Sequence, residues 1–415
     1  MAHIWQGLRS GSWLTPARSR AYCLILLGLY VLAIVGWIGA SNGLIDRNRK
    51  PIGTDFASFY SAGSFALQGH ADQSYEPASH HAREQELFGA DTPYYSWNYP
   101  PVFFFVAAPL ALLPYPLALA LFQGASLALY LSVMAAILRP ARQRSETIAR
   151  NWWPAAAAFP AVFINLGHGQ NGFLTAGLLS AALVTLERPM LCGLFIGLLS
   201  YKPQFALVIP VALLAAGQWR TIAAAALTTI ALATASYLIF GPDCWVAFIA
   251  STELSRKVLL EQGSVGFEKL QSAFAAVRLW GGGTSLSYAV QGAVSALAIG
   301  ATARAWYVSD NHALKSALLI AATTLASPHL LDYDLVLLAP ALAFLVAAIS
   351  NDGMHDYETS LLAFIWLAPL FARTAAGRTG VPLGLLASLC LFALILRRIH
   401  NSRERTVTTL RVAQV

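Results

Sequence analysis

One stretch at the start of an outer loop and three later polar breaks interrupt an otherwise apolar chain, and they carry side chains that could take a proton, hold an anion or hydrogen-bond a sugar. The first is Gly53-Thr54-Asp55-Phe56-Ala57-Ser58-Phe59-Tyr60-Ser61-Ala62-Gly63, just after the first long apolar segment. Phe56, Phe59, Tyr60 and Leu67 fall at helical spacing on one side, and Ser58, Ser61 and Gln68 on the other. That pattern predicts a short helix lying in the membrane surface with Asp55 at its start. An aspartate there has two readings. It caps the helix, for which Asp is a preferred residue, or it is a base placed where lipid-linked and water-borne reactants meet.

The other breaks are Gly167-His168-Gly169-Gln170-Asn171, Tyr201-Lys202-Pro203-Gln204 and Ser327-Pro328-His329-Leu330-Leu331-Asp332-Tyr333-Asp334. An ionisable group at the centre of a membrane helix costs roughly 2.5–3.5 kcal/mol, so such groups usually face a cavity or a partner. Lys202, just before Pro203, either holds a phosphate or snorkels to the headgroups. His329, Asp332 and Asp334 either bind a metal or substrate or bond the backbone freed at Pro328. Asp332 and Asp334 are two positions apart and do not share a helix face, which argues against a two-carboxylate metal site. Gln170 and Asn171 suit hydrogen bonding to a sugar, or satisfy backbone at a glycine-loosened turn. Arg373 and Arg378 fall in the last loop on the same side and would meet an anion there.

The elements that must position these residues follow from composition. The chain has 415 residues, 57% hydrophobic and 11% charged, against roughly 25% charged in a soluble domain. A water-facing surface cannot be built from it, so the expectation is an all-α integral membrane protein in one domain, 1–415. The net charge of +7 does not indicate nucleic acid, because the basic residues cluster beside apolar segments as in cytoplasmic loops. The four cysteines form no CxxC or Cys/His cluster, so neither a disulfide framework nor a zinc site is indicated. No GxGxxG or GxxxxGK[ST] loop is present.

Residues 21–40, preceded by Arg9, Arg18 and Arg20, read as a retained first span. Residues 41–99 then form an outer loop with a second short helix from Ser79 to near Gly89, closed by the aromatic cluster from Tyr94 to Tyr99. Residues 101–138 are either one crossing with a re-entrant piece or two short ones. Further crossings at 152–166, 172–186, 190–200, 203–217, 220–240, 284–306, 313–326, 335–350, 358–373 and 380–397 bring the total to about twelve. That count puts all the polar breaks on one face and leaves 399–415 as a basic cytoplasmic tail. Residues 241–283 form a second outer loop, in which Leu270, Phe274, Val277 and Trp280 make an amphipathic stripe, read mainly as packing against the bundle.

The ordered set of Gly53-Thr54-Asp55-Phe56, Tyr60, Ala62-Gly63, Tyr99-Pro100-Pro101, Gly169-Gln170-Asn171, Lys202-Pro203-Gln204 and Ser327-Pro328-His329 with Asp332-Tyr333-Asp334 resembles glycosyltransferase family 87, over about residues 20–400. The resemblance implies a polytopic GT-C bundle of about twelve transmembrane helices. It implies transfer of a hexose, mannose first, from a polyprenyl-phosphate donor to a lipid or glycan acceptor, at the outer face of a bacterial inner membrane. Asp55 would be the general base of an inverting reaction. Lys202 and His329 would hold the donor phosphate, and Tyr60, Tyr99, Gln170, Asn171, Gln204, Asp332 and Asp334 would line the substrate site. Asp55 is followed by Phe56 rather than a second acid, so no cofactor is expected and a divalent metal is not indicated. Membrane lipids are the remaining partner. The rivals are a lipid or sugar transporter or flippase, which also uses broken helices, and a non-catalytic scaffold.

Overall fold

A computed structural model describes residues 2–413. The protein is an all-α polytopic membrane protein, 79% helical, and among the described residues β-structure is limited to isolated bridges.

A short helix α1 (Ala2–Ser10) precedes α2 (Pro16–Gly39), which starts on the Thr15 cap and Pro16. The loop that follows holds α3 (Thr54–Leu67) and α4 (Pro77–Phe88). Helix α4 ends where expected, at Gly89, but starts two residues before Ser79 because Pro77 is well suited to a first helical position. Helix α3 departs further from expectation. It does not lie in the membrane surface: Phe56, Ser58, Phe59, Ser61 and Ala62 are all buried, on both faces. Gly63 lets it press onto α5 (Phe104–Ala111), since a Cβ there would stand 2.2 Å from the Ala107 carbonyl oxygen. Serines on the second face pack against α4 rather than water, with Ser58 Oγ 3.2 Å from His80 Nε2.

The aromatic cluster after α4 is partly inside: Tyr94 is exposed, but its centre is not. Trp97 is buried against Phe59, Phe103 and Phe104. Helix α5 is short and leads through Leu112-Leu113-Pro114 into α6 (Tyr115–Ile137), so residues 101–138 make one long helix preceded by a short apolar one. The basic stretch forms α7 (Arg139–Arg144) and runs into α8 (Glu146–Ala157). The crossing expected at 152–166 is divided: α8 stops at Ala157 and α9 (Pro160–His168) begins after it. Pro160 cannot donate to the helix and pushes Phe159 into extended backbone, at φ −55° and ψ 126°.

Short helices follow close to the expected boundaries at α10 (Gly172–Val184), α11 (Pro189–Leu198) and, later, α17, whereas the crossing expected at 203–217 opens as a tight turn at Pro203–Leu207 before α12 (Val208–Ala215). Between them lie the long α13 (Trp219–Phe240), then α14 (Pro242–Ser255) and α15 (Ala273–Leu279), then α16 (Thr284–Val308). In α15 Phe274 and Val277 are buried against the bundle, while Trp280, just past its end, is exposed. Helix α17 (His312–Ala326) is succeeded by a tight turn at Asp332–Leu337 that continues as α18 (Leu338–Asp352). Last come α19 (Glu358–Thr379) and α20 (Leu383–Ala413). Arg373 and Arg378 therefore sit on α19, not in a loop. The tail expected over 399–415 continues α20 to Ala413, and its last two residues lie outside those described.

Among the described residues seven helical segments are long and apolar enough to cross a membrane: α2, α6, α13, α16, Asp332–Ser350, α19 and Leu383–Ser402. The short ones are not. At about 1.5 Å per residue, a 13-residue helix such as α10 covers about 20 Å of a hydrocarbon layer about 30 Å thick. Each of α10, α11, α12 and α17 starts or ends next to a polar break, and these interruptions are what admit polar side chains into the bundle.

Candidate active site

Asp55 occupies the first turn of α3, but Gly53, which supplies no side chain, is the residue at the cap. Its carboxylate is therefore not consumed by capping. It turns instead toward the break between α9 and α10. Gln170 Nε2 donates to Asp55 Oδ2 at 3.0 Å, and His168 Nδ1 lies 3.8 Å from Oδ1, a charge contact beyond hydrogen-bond range. Thr54 Oγ1 stands between them, 2.9 Å from His168 Nδ1 and 3.4 Å from Asp55 Oδ1. The Asp55 side chain is 28% exposed and that of His168 23%, so both reach the protein surface.

The break is built to present these groups. Gly169, at φ +62°, packs against Phe56 and Gly53, where a Cβ would stand 2.7 Å from that of Phe56. His168 and Gln170 are thereby brought to the start of α3. Asn165, fully buried, fastens the break from below: its Oδ1 accepts from Gly172 N at 3.0 Å and its Nδ2 donates to Tyr333 O at 2.7 Å. Gln123 Nε2 on α6 donates to Gln170 O, and Tyr99 Oη donates to Gln170 Oε1 at 3.2 Å. Gln170 is thus oriented from both ends.

Electrostatics follow from this packing. Burial works against charge on Asp55, but the His168 ring, the Gln170 amide and Lys269 outweigh it and hold the carboxyl below the usual carboxylate range. Burial likewise opposes charge on His168, yet Asp55 and, further off, Asp332 raise it above the ordinary histidine value. These neighbours favour the ionised form of Asp55.

The remaining expected residues sort into three groups. Tyr99, Gln170 and Asp55 are brought together directly. Lys202, Asp334 and His329 form a neighbouring cluster behind Tyr333: Lys202 Nζ donates to Asp334 Oδ1 at 2.7 Å and lies 5.5 Å from the Tyr333 ring, while that ring stands 6.2 Å from His168. Lys202 does not snorkel; its side chain is 3% exposed and that of Asp334 2%. Burial pushes the His329 imidazole down, with Asp334 opposing and Lys202 adding to the effect. Asp334 Oδ2 also accepts from Leu331 N, and Asp332 Oδ1 accepts from Tyr333 N, so both acids bond freed backbone. In the third group Tyr60 Oη donates to Leu113 O, and Gln204 is half-buried beside Lys202. Asn171 belongs with the first: its N–H donates to Gln170 Oε1 at 2.8 Å, while its fully buried side-chain amide has neither atom bonded. His168 belongs to the site but is absent from the expected set, although it stands in the same break as Gln170. No three His, Cys, Asp or Glu side chains converge to hold a metal ion among the described residues.

The family model for glycosyltransferase family 87 matches residues 97–328, more than half of the chain. The chain belongs to glycosyltransferase family 87. It is a membrane glycosyltransferase, which sets aside transport and scaffolding as its primary role. No curated protein and no solved structure matches it. In this family 87 chain the match takes in Tyr99, His168, Gln170, Lys202 and Lys269 but stops short of Asp55, Asp332 and Asp334. Asp55 is tied to the matched region by its bond to Gln170.

Proposed function

We propose that this protein transfers a hexose, mannose first, from a polyprenyl-phosphate donor to a hydroxyl of a lipid or glycan, with Asp55 as general base. The observation that carries the reading is the Asp55 carboxylate itself: held toward its ionised form, excused from capping, aimed by Gln170 and exposed at the edge of a bundle of short helices. The acceptor O–H gives its proton to Asp55 as its oxygen attacks the anomeric carbon. The bond from that carbon to the phosphate oxygen breaks, the electron pair leaves with polyprenyl phosphate, and the anomeric centre inverts. No nucleotide-binding glycine loop exists to hold a sugar nucleotide, which favours a lipid-borne donor. The basic end of the bundle, with Arg139, Arg142, Arg144 and Arg150, belongs in the cytoplasm by the positive-inside tendency. On that tendency the reading has Asp55 work at the outer face of the inner membrane.

The test uses purified protein in lipid, offered a panel of polyprenyl-phosphate sugars with an extract of lipid and glycan acceptors. Release of polyprenyl phosphate by wild type, lost by about 10²–10⁴ in Asp55→Asn of unchanged melting temperature, supports the reading. Equal release by both proteins removes Asp55 as base. Release from a sugar nucleotide alone removes the lipid donor.

A further inference from the structure

The donor's phosphate needs positive charge, and the two residues first expected to supply it do not have it to give. Lys202 is neutralised by Asp334 at 2.7 Å, with both side chains almost wholly buried. Drawing Lys202 to another anion would leave the Asp334 carboxylate buried and unpaired, a costly outcome. His329 is held toward its neutral form by burial.

Further cationic charge lies beside Asp332. An isolated antiparallel bridge joins Leu270 to Leu331, with Gln271 N donating to Leu330 O at 2.7 Å. In an antiparallel pair 270:331, residue 269 stands across from residue 332. Lys269, half-buried, is thereby fixed beside Asp332, within electrostatic reach of Asp55 and His168 as well. The neighbouring Glu268 packs its side chain on Gly377 of α19, its Cγ 3.5 Å from where a Cβ would be. Arg373 stands one helical turn before Gly377 on the same face and also acts on Asp332. Among the described residues neither Lys269 nor Arg373 has an ion-pair partner. The clip at 270:331 sets Lys269 beside Asp332, and α19 brings Arg373 within reach of the same carboxylate, so two cations from elements far apart in sequence flank the edge of the Asp55 site without a direct salt bridge.

We propose that Lys269 and Arg373 form the anion site that receives the phosphate of the glycosyl donor, while Lys202 serves to hold Asp334 and the turn that follows it. This rests on the reading of a prenyl-phosphate donor given above. As the sugar–phosphate bond breaks, charge grows on the phosphate oxygens, and an ammonium and a guanidinium are the groups that stabilise it.

The test measures binding rather than turnover. The full chain in phosphatidylcholine nanodiscs is titrated with farnesyl phosphate, farnesol, inorganic phosphate and phosphatidylglycerol, and dissociation constants are read by calorimetry. Farnesyl phosphate should bind, farnesol should not, and inorganic phosphate should compete. Lys269→Met and Arg373→Met should each weaken farnesyl phosphate by about tenfold or more. Lys269→Arg should stay within about threefold, and Lys257→Met, on a surface pair with Glu253, should match wild type. Melting temperatures separate lost binding from lost fold, and Lys269→Arg covers the case in which Lys269→Met does not fold. Equal binding by wild type, Lys269→Met and Arg373→Met overturns this inference and leaves the donor reading standing. Phosphatidylglycerol binding as tightly as farnesyl phosphate overturns it in favour of a general lipid-headgroup site. No binding of farnesyl phosphate by wild type defeats the donor reading and the inference together.

Discussion

At the residue scale, the chemistry turns on His168 as much as on Asp55. A carboxylate held low by a cation is ionised but a weak base. Below the raised value of His168 the ring is charged and Asp55 is held down; as pH rises through that value the ring discharges and Asp55 becomes the stronger base. Rising kcat/KM with an inflection above the ordinary histidine value of about 6.5 is therefore expected in the pH–rate profile. His168→Gln should remove the inflection while Asp55 still titrates at the acid end. A profile unchanged in His168→Gln would show that the ring only packs. Because the groups interact, the inflection belongs to the pair, with Asp332 and Lys269 acting on it from the turn opposite. The Lys202–Asp334 pair makes a different prediction. Lys202→Met alone strands a buried carboxylate and should cost about 3–5 kcal/mol in unfolding stability. The double variant Lys202→Met with Asp334→Leu should recover most of that in urea titrations, and failure to recover would mean that the Asp334 bond to Leu331 N matters more than the ion pair.

At the element scale, α3 delivers Asp55, and its position depends on how closely it approaches α5. Gly63→Ala puts a methyl against the Ala107 carbonyl, a backbone atom that cannot swing aside, so the helices must part. The expected cost is about 1–3 kcal/mol in thermal unfolding, with a fall in kcat because the base moves off its line of attack. Gly124→Ala is the matched comparison. It lies inside α6 with open space at its Cβ, so it should gain about 0.5–1 kcal/mol without loss of rate. The same helix shows what could be read ahead of the structure. Its start and extent were visible from Gly53, Asp55 and the spacing of Phe56, Phe59 and Tyr60. Its burial was not, because serines on the second face read as water-facing until Ser58 is seen bonded to His80, 22 residues on. The polar breaks were legible because glycine and proline next to charge stand out in an apolar chain. Which break faces which was not, since the pairings 55:170, 202:334 and 270:331 are long-range and leave no periodic trace. Lys269, in the second outer loop, carries no sequence signal for the same reason.

At the scale of the whole molecule, charge is distributed by end. Arg20 Nη1 donates to Arg150 O and Asn151 Nδ2 to Pro16 O, so the start of α2 and the start of α8 share one end of the bundle. Arg9 pairs with Asp356 and buried Arg398 with Glu358, which brings α1, α19 and α20 to that end too. Helix α2 then runs 24 residues, about 36 Å, to the end that carries α3 and Asp55. An excess of arginine at one end and the site at the other gives the protein one expected orientation, with Asp55 outside. Single cysteines test it. The native Cys23, Cys192 and Cys244 are buried and Cys390 half-buried, so a cysteine-free background is within reach of four substitutions. Ala90→Cys, exposed just after α4, should react with a membrane-impermeant maleimide in intact cells. Gln143→Cys, exposed on α7, should react only after the membrane is opened. The reverse pattern would put Asp55 in the cytoplasm, where sugar nucleotides are at hand. A lipid-borne donor would then lose its reason, whereas the Gln170-held carboxylate would keep its own.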